Sequence, residues 1–408
     1  MTETLQEQGR EAPELPLHMR RAGFDPVPDM AALRDDEGVR QVETAFGMPA
    51  FLVARHADVK AVLADSARFS NESRRAFDAP GAPKLSDEER ERMRAGNLLG
   101  VDPPEHTRLR RMLTPEFTVR RMRRLEPRIV EIVDDHLDAM EKAGAPADLV
   151  ADFALPIPSL VICELLGVPY ADRADFQART SKLLDISLPM DERLALGRAS
   201  REYMADLVAR AQAAPGEDML GMLVREHGAD LTTDELIGIA GLLLIAGHET
   251  TSNMLGLGTL ALLRHPDQLA LVRDDPAAVA PAVEELLRWL GIVHSGIPRT
   301  TTEDVEVGGV RIPEDSLVIL ALAAANRDPR FLADGDRLDV ARDAAGHVAF
   351  GHGVHHCLGA PLARMEMRTA FPALLRRFPG LALGVPFDEV AFRAFHFIYG
   401  LQSLPVTW

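Results

Sequence analysis

Phe350-Gly351-His352-Gly353-Val354-His355-His356-Cys357-Leu358-Gly359 is the stretch from which the rest of the chain can be read. It carries one of only two cysteines in 408 residues. Glycines stand before and after Cys357, so the backbone can bend tightly and approach a bound group. A helical stretch follows at once with Pro361 in its first turn, where a missing N–H costs nothing. That layout aims the positive end of a helix at the sulfur. Free backbone N–H groups and a helix N-terminus both lower a thiol's pKa, which suits a thiolate ligand for a soft metal. A buried structural cysteine is the usual fate of the residue, but it needs no glycine-bent loop. Zinc is a further alternative, since His347, His352, His355 and His356 lie close by. A structural zinc site draws four ligands at paired spacings, and here there is one cysteine and no Cys-x-x-Cys.

The length allows an extensive core. Hydrophobic residues make up 47% and charged residues 26%, an ordinary soluble composition. A net charge of −17 argues against general nucleic-acid binding, which needs a basic surface. Two cysteines, Cys163 and Cys357, are too few for a disulfide framework, so a reducing cytoplasm is the expected setting. Met1 to Pro16 shows no signal-peptide pattern, and the longest apolar run, Leu236 to Gly247, is too short to span a bilayer.

Along the chain, residues 1–45 read as loosely ordered, residues 1–20 above all. Phe51 to Val53 reads as a strand and Ala57 to Leu63 as a helix. Asn71 to Asp102 reads as loop with a short helix near Ser86–Met93. From Glu105 to Ala211 the pattern is mostly helical, with breaks expected at Pro127, Gly144–Pro146, Pro156–Pro158, Val168-Pro169 and Leu188-Pro189. Thr232 to His265 reads as one long helix, opened by a Thr232/Glu235 capping box and ended by Pro266. It is apolar nearly all round from Leu236 to Ala246, the mark of a buried spine. Val279 to Leu290 is another helix. Val305–Val307 and Val310–Ile312 form a hairpin pattern around Gly308-Gly309, and Leu317–Leu320 a third strand. The C-terminal helix runs to about Phe378 with Pro372 as a break. The expectation is one mainly helical domain, residues 1–408, with small sheets.

Three further stretches carry chemistry. Ala246-Gly247-His248-Glu249-Thr250-Thr251 lies inside the buried spine. Its glycine costs roughly 1 kcal/mol relative to alanine, so it asks for a reason, either helix packing or a gap for a small ligand. A buried glutamate beside threonines is costly unless partners satisfy it, and acid, alcohol and gap together suggest a proton path to a bound oxygen. Glu285-Leu286-Leu287-Arg288 places acid and base on one helix face. His106 and Arg110 also share a helix face and could meet carboxylates. Between Glu105 and Arg128 stand eight arginines against three glutamates, a local reversal of the overall sign.

Phe350 through Gly359 fits Phe-x-x-Gly-x-x-x-Cys-x-Gly, and here the chain resembles the cytochrome P450 family of haem-thiolate monooxygenases. The resemblance covers about residues 20–408 and looks closest to soluble bacterial members, many from actinomycetes. It implies a P450 fold with haem b (iron protoporphyrin IX) between the long helix and the cysteine loop. Cys357 would be the axial iron ligand, with Phe350, Gly351 and Gly359 shaping its loop and Ala246 and Gly247 bordering the haem. Thr250 and Glu249 match the family's alcohol and acid, which guide protons toward the oxygen site. His106, Arg110, Arg299 and His355 would meet the haem propionates. Glu285 and Arg288 would form a buried ion pair joined by Arg337.

By the same resemblance the substrate pocket would be roofed by the Asn71–Asp102 loop and Leu183–Met190. Leu98, Leu183, Leu243, Ala246, Val293, Ile297, Phe395 and Ile398 would line it, with His294 and His396 offering polar contacts. The implied substrate is a mid-sized apolar natural product, such as a polyketide, macrolide, terpenoid or steroid-like molecule, hydroxylated with O2. Electrons would come from a ferredoxin and its ferredoxin reductase, docking on Arg111, Arg121 and Arg124. A monomer with no membrane or nucleic-acid partner is expected. Epoxidation, coupling or dealkylation would use the same residues. A haem-binding sensor or recruitment module is the alternative from another class, though it would not need the acid–alcohol pair.

Overall fold

Thr233–Arg264 forms the spine of the molecule, 32 residues long. Its start is the expected capping box: Thr232 accepts from the Glu235 backbone while the Glu235 side chain returns to the Thr232 N–H. The computed structural model describes residues 15–72 and 86–408. Residues 1–14, and the part of the expected pocket roof at 73–85, lie outside the described residues. Among the described residues, the helices of eight residues or more are α1 (His56–Ala64), α2 (Asp87–Arg94), α3 (Glu105–Leu113), α4 (Val119–Ala143), α5 (Pro156–Leu166), α6 (Arg173–Leu183), α7 (Met190–Ala213), α8 (Met219–His227), α9 (Thr233–Arg264), α10 (Pro266–Asp274), α11 (Val279–Leu290) and α12 (Ala360–Arg377).

Helix α9 is surrounded by α5, α7 and α12, which explains why it is apolar on nearly every side. Two glycines let neighbours come close. A Cβ on Gly258 would lie 2.5 Å from the Phe371 ring of α12, and one on Gly238 would overlap the Ala95 carbonyl. The small sheets sit to one side. β1 (Val39–Glu43), β2 (Pro49–Val53), β3 (Phe69–Ser70), β4 (Ile297–Thr301) and β7 (Leu317–Leu320) form one sheet in the order β1-β2-β7-β4-β3. β5 (Val305–Val307) and β6 (Val310–Ile312) form the expected two-glycine hairpin, with Gly308 at φ +58° and Gly309 at φ +82°. β7 runs parallel to β2, Val318 opposite Phe51, and pairs with β4 on its other side. The sequence shows the strand but not this long-range partner.

Several expectations need correction. Residues 15–20 are anchored rather than loose: Met19 is buried, and His18 Nε2 meets Ser295 O at 3.0 Å. Residues 28–43 likewise form a helix and a strand, with Met30 and Leu33 buried. Helix α4 runs through Pro127 and α12 through Pro372 without ending. Proline removes one N–H bond and strains a helix interior, but packing on both sides of these turns outweighs that local loss. Pro156 opens α5 instead of breaking it.

Candidate active site

The cysteine loop takes its bends from two glycines. Gly351 and Gly353 lie at φ +71° and +72°, where a side chain is strained. A Cβ on Gly353 would also press 2.6 Å from Leu63 O. Gly359 differs from the expectation: its φ is −79°, and a Cβ there would only touch Cys357 Sγ at 4.0 Å. The Cys357 N–H donates to Phe350 O at 2.9 Å and closes the loop. The Arg364 guanidinium lies 4.5 Å from the centre of the Phe350 ring.

Cys357 borders an opening, yet protein crowds the sulfur enough for burial to push its thiol above the usual value. The Gly359 and Ala360 N–H groups and the charges of Arg110 and Arg364 act the other way without winning. Among these effects desolvation is the larger.

A cluster of basic groups gathers beside this loop. His106 is buried on α3, its ring centre 4.0 Å from that of His355. Asn71 Nδ2 lies 2.7 Å from His355 Nε2. Arg299 is buried in β4, and among the described residues its side chain's one hydrogen bond runs to its neighbour Pro298 O at 2.7 Å. Arg110, one turn beyond His106, has no hydrogen-bond or ion-pair partner among the described residues. Burial lowers Arg299 to about 10 and His355 to about 4, and it lowers His106 and Arg110 as well. The one carboxylate acting on this group, Asp102, is already held by Ser70 and Asn71. His106 Nδ1 is buried without a partner. Desolvated cations and an orphaned donor around a cysteine fit an anionic metal group, and the two propionates of haem match that need.

The middle of α9 is less buried than its C-terminal half, and Ala246 is its most open point. Leu243 and Thr250 are partly open and Ala246 is exposed, while Leu244, His248 and Glu249 between them are buried. Thr250 Oγ1 donates to Ala246 O at 2.8 Å. Gly247 serves packing: a Cβ there would stand 2.7 Å from Ile162 Cδ1 of α5. Glu249 points away from these open positions into the interior. Its carboxylate meets Arg393 Nη1 at 3.3 Å and lies 3.6 Å from His248 Nε2. Burial alone would raise this carboxyl, but His248, Arg393 and His396 hold it down at about 2.

The apolar candidates Leu183, Leu243, Val293, Ile297, Phe395 and Ile398 are all half-buried, consistent with walls of one recess. Leu98 instead is buried in the main core. His294 and His396 are buried and turned inward, His294 Nε2 to His396 O at 2.6 Å and His396 Nε2 to Ser181 O at 3.1 Å. Both His396 ring nitrogens are taken by backbone carbonyls, whereas His294 Nδ1 has no hydrogen-bond partner among the described residues.

The Glu285–Arg288 pair is fully buried and bidentate, at 2.6 and 2.8 Å. Arg337 does not join it. Its side chain is exposed and paired with Asp339 at 2.8 Å, and only its carbonyl reaches Arg288. Arg342 takes the place, its Nε 3.7 Å from Glu285 Oε1. In the arginine-rich stretch, Arg111 and Arg124 are exposed, whereas Arg121 is paired with Glu116 at 3.0 Å. Arg342 and Arg393 escaped the sequence reading. Arg393 stands 144 residues from Glu249, so no local spacing could reveal it.

The fold and this site bring desolvated basic groups together beside a lone cysteine loop, an arrangement suited to an anionic metal group. Residues 212–381 match the family model for cytochrome P450. The chain is 52% identical to cytochrome P450 FAS1 of Rhodococcoides fascians, over 97% of this chain and 99% of that protein. It resembles the crystal structure of the hybrid P450 OxyBtei(BC/FGvan) at TM-score 0.84 and 47% identity, covering 96% of this chain and all of that one. It also resembles CYP105P1 in complex with filipin I at TM-score 0.88 and 41% identity, covering 98% and 99%. The chain belongs to the cytochrome P450 family and is a monooxygenase with a haem-thiolate cofactor. Such enzymes require a redox partner and a small-molecule substrate. Among the described residues no helix is long and apolar enough to cross a membrane.

Proposed function

We propose that this protein is one cytochrome P450 domain that binds haem b through Cys357, draws electrons from a ferredoxin and ferredoxin reductase, and hydroxylates a mid-sized natural product in the cytoplasm. The observation that carries the reading is the pairing of two features. Leu243, Ala246 and Thr250 leave an open stretch on the central helix, and basic groups with no ion-pair partner among the described residues stand beside the cysteine loop. Haem held there supplies O2 activation, with the thiolate donating electron density that favours O–O cleavage.

The chain's own residues have definable parts. His106, Arg110, Arg299 and His355 bind the propionates. Thr250 Oγ1, fixed by the Ala246 carbonyl, holds a proton at the open stretch. Glu249, one residue away, is held ionised by Arg393 and His248 on the interior side; it has no proton of its own to give, and as a carboxylate it can accept one and relay it. The half-buried aliphatic and aromatic side chains orient an apolar body and exclude water. A natural-product substrate is supported by the likeness to a structure that holds filipin I. The exposed Arg111 and Arg124 supply a basic surface for an acidic electron donor.

The test is the absorption of reduced protein with carbon monoxide, for wild type and Cys357→Ala. A strongly red-shifted Soret band only in wild type is expected. A band indifferent to Cys357 would overturn the assignment.

A further inference from the structure

Three elements meet at Arg193, in the first turn of α7. Its Nε donates to Leu183 O, the last residue of α6, at 3.3 Å. Its guanidinium carbon lies 5.2 Å from the centre of the Phe397 ring and 5.7 Å from that of Phe46. Phe397 belongs to the C-terminal segment that also carries Phe395 and Ile398, and Phe46 to the turn between β1 and β2. The α6–α7 turn is zipped to the C-terminal segment: Ile186 N donates to Phe395 O at 2.8 Å and Phe397 N to Leu184 O at 3.0 Å. Arg193 thus stands where the roof of the recess closes.

What distinguishes Arg193 is that no carboxylate pairs directly with it among the described residues. Its two terminal nitrogens have no hydrogen-bond or ion-pair partner among the described residues. Asp185 acts on it electrostatically, but that carboxylate receives the Ser187 N–H and hydroxyl at 2.8 and 2.6 Å. Arg21 is a contrast, since carbonyls of Leu290 and Gly291 accept from its two terminal nitrogens at 2.7 and 2.6 Å. Desolvated arginines with no carboxylate paired directly to them among the described residues occur at Arg110 and Arg299, the positions fitted to the haem propionates. Arg193 repeats that signature in the roof, and burial lowers its pKa in the same way. A guanidinium packed on aromatic faces keeps its in-plane edge free, and that edge matches a carboxylate in two parallel hydrogen bonds.

We propose that Arg193, packed against Phe46 and Phe397, anchors a carboxylate at the mouth of the recess, so that the substrate is amphipathic, with an apolar body and one carboxylate end. This rests on the recess assigned above and narrows its substrate class.

The test is calorimetric binding of dodecanoate, dodecan-1-ol and dodecylammonium to the haem-loaded enzyme, below their micellar concentrations and at 0.15 M salt. Wild type should bind the acid at least tenfold more tightly than the alcohol. Arg193→Gln should erase that difference and leave the alcohol unchanged, Arg193→Lys should keep part of it, and Arg193→Glu should favour the ammonium. A wild-type preference below tenfold, or one that survives in Arg193→Gln, overturns the anchor. Should Arg193→Gln fold poorly, the acid-to-alcohol ratio in wild type and Arg193→Lys still decides. The carbon monoxide band is read separately on the same samples. A normal band without acid preference removes the anchor alone, and a missing Cys357-dependent band removes the haem-thiolate reading.

Discussion

Replacing Arg288 by leucine should cost more stability than any single aliphatic truncation in the core. Arg288 and Glu285 are both fully buried. The guanidinium gives two bonds to the carboxylate, and its Nη1 also serves Asn326 O at 2.8 Å and Gly335 O at 2.7 Å. Removing one partner of a buried pair leaves an uncompensated charge, a loss of about 3–5 kcal/mol. Glu285 would keep the Asp339 N–H at 3.0 Å and Arg342 at 3.7 Å, which places its share near the lower end. Two carbonyls would lose a donor, each adding about 1–3 kcal/mol. The sum is on the order of 5 kcal/mol, a large part of a typical folding free energy of about 5–15 kcal/mol.

The damage should also reach the cysteine loop, because Asn326 Oδ1 accepts the Val348 N–H at 2.7 Å. Urea unfolding followed by circular dichroism, with haem content measured in parallel, is the assay. An Arg288→Leu protein within about 1 kcal/mol of wild type and fully loaded with haem would refute the reasoning, since that spread is ordinary for a surface change.

Two other predictions follow from charges in the structure. Glu249 is held at about 2, below its unfolded value near 4.5. A depressed carboxyl stabilises the fold above its unfolded pKa and loses that contribution as pH falls toward its folded one. Its share, about 3 kcal/mol, should disappear between about pH 4.5 and pH 2, and the Glu249→Gln curve should be flatter across that window. Glu284, also held at about 2, titrates in the same range, so the difference between wild type and Glu249→Gln is the quantity to measure. On the basic surface, Arg111→Glu and Arg124→Glu should each slow reduction by a ferredoxin severalfold at low salt and weaken its salt dependence. Arg121→Gln should do less, because Glu116 already neutralises that residue; stopped-flow reduction at two ionic strengths checks the order.

What the sequence determined is what local chemistry dictates. The capping box at Thr232, the glycine turn at Gly308-Gly309, Pro361 after the cysteine loop and the period of Val279–Leu290 all appear in the structure where their spacing puts them. The cysteine loop, the acid–alcohol pair and the His106/Arg110 pair are likewise local motifs. What tertiary structure decided is everything that depends on distant partners. It let α4 and α12 run through prolines, where packing outweighs local strain. It put Arg342 rather than Arg337 beside Glu285 and brought Arg393 to Glu249. It turned His294 and His396 inward, and it packed Arg193 near Phe46 and Phe397 with no carboxylate paired to it among the described residues. A charge's role depends on which charges and rings surround it after folding, and those neighbours lie tens to hundreds of residues away along the chain.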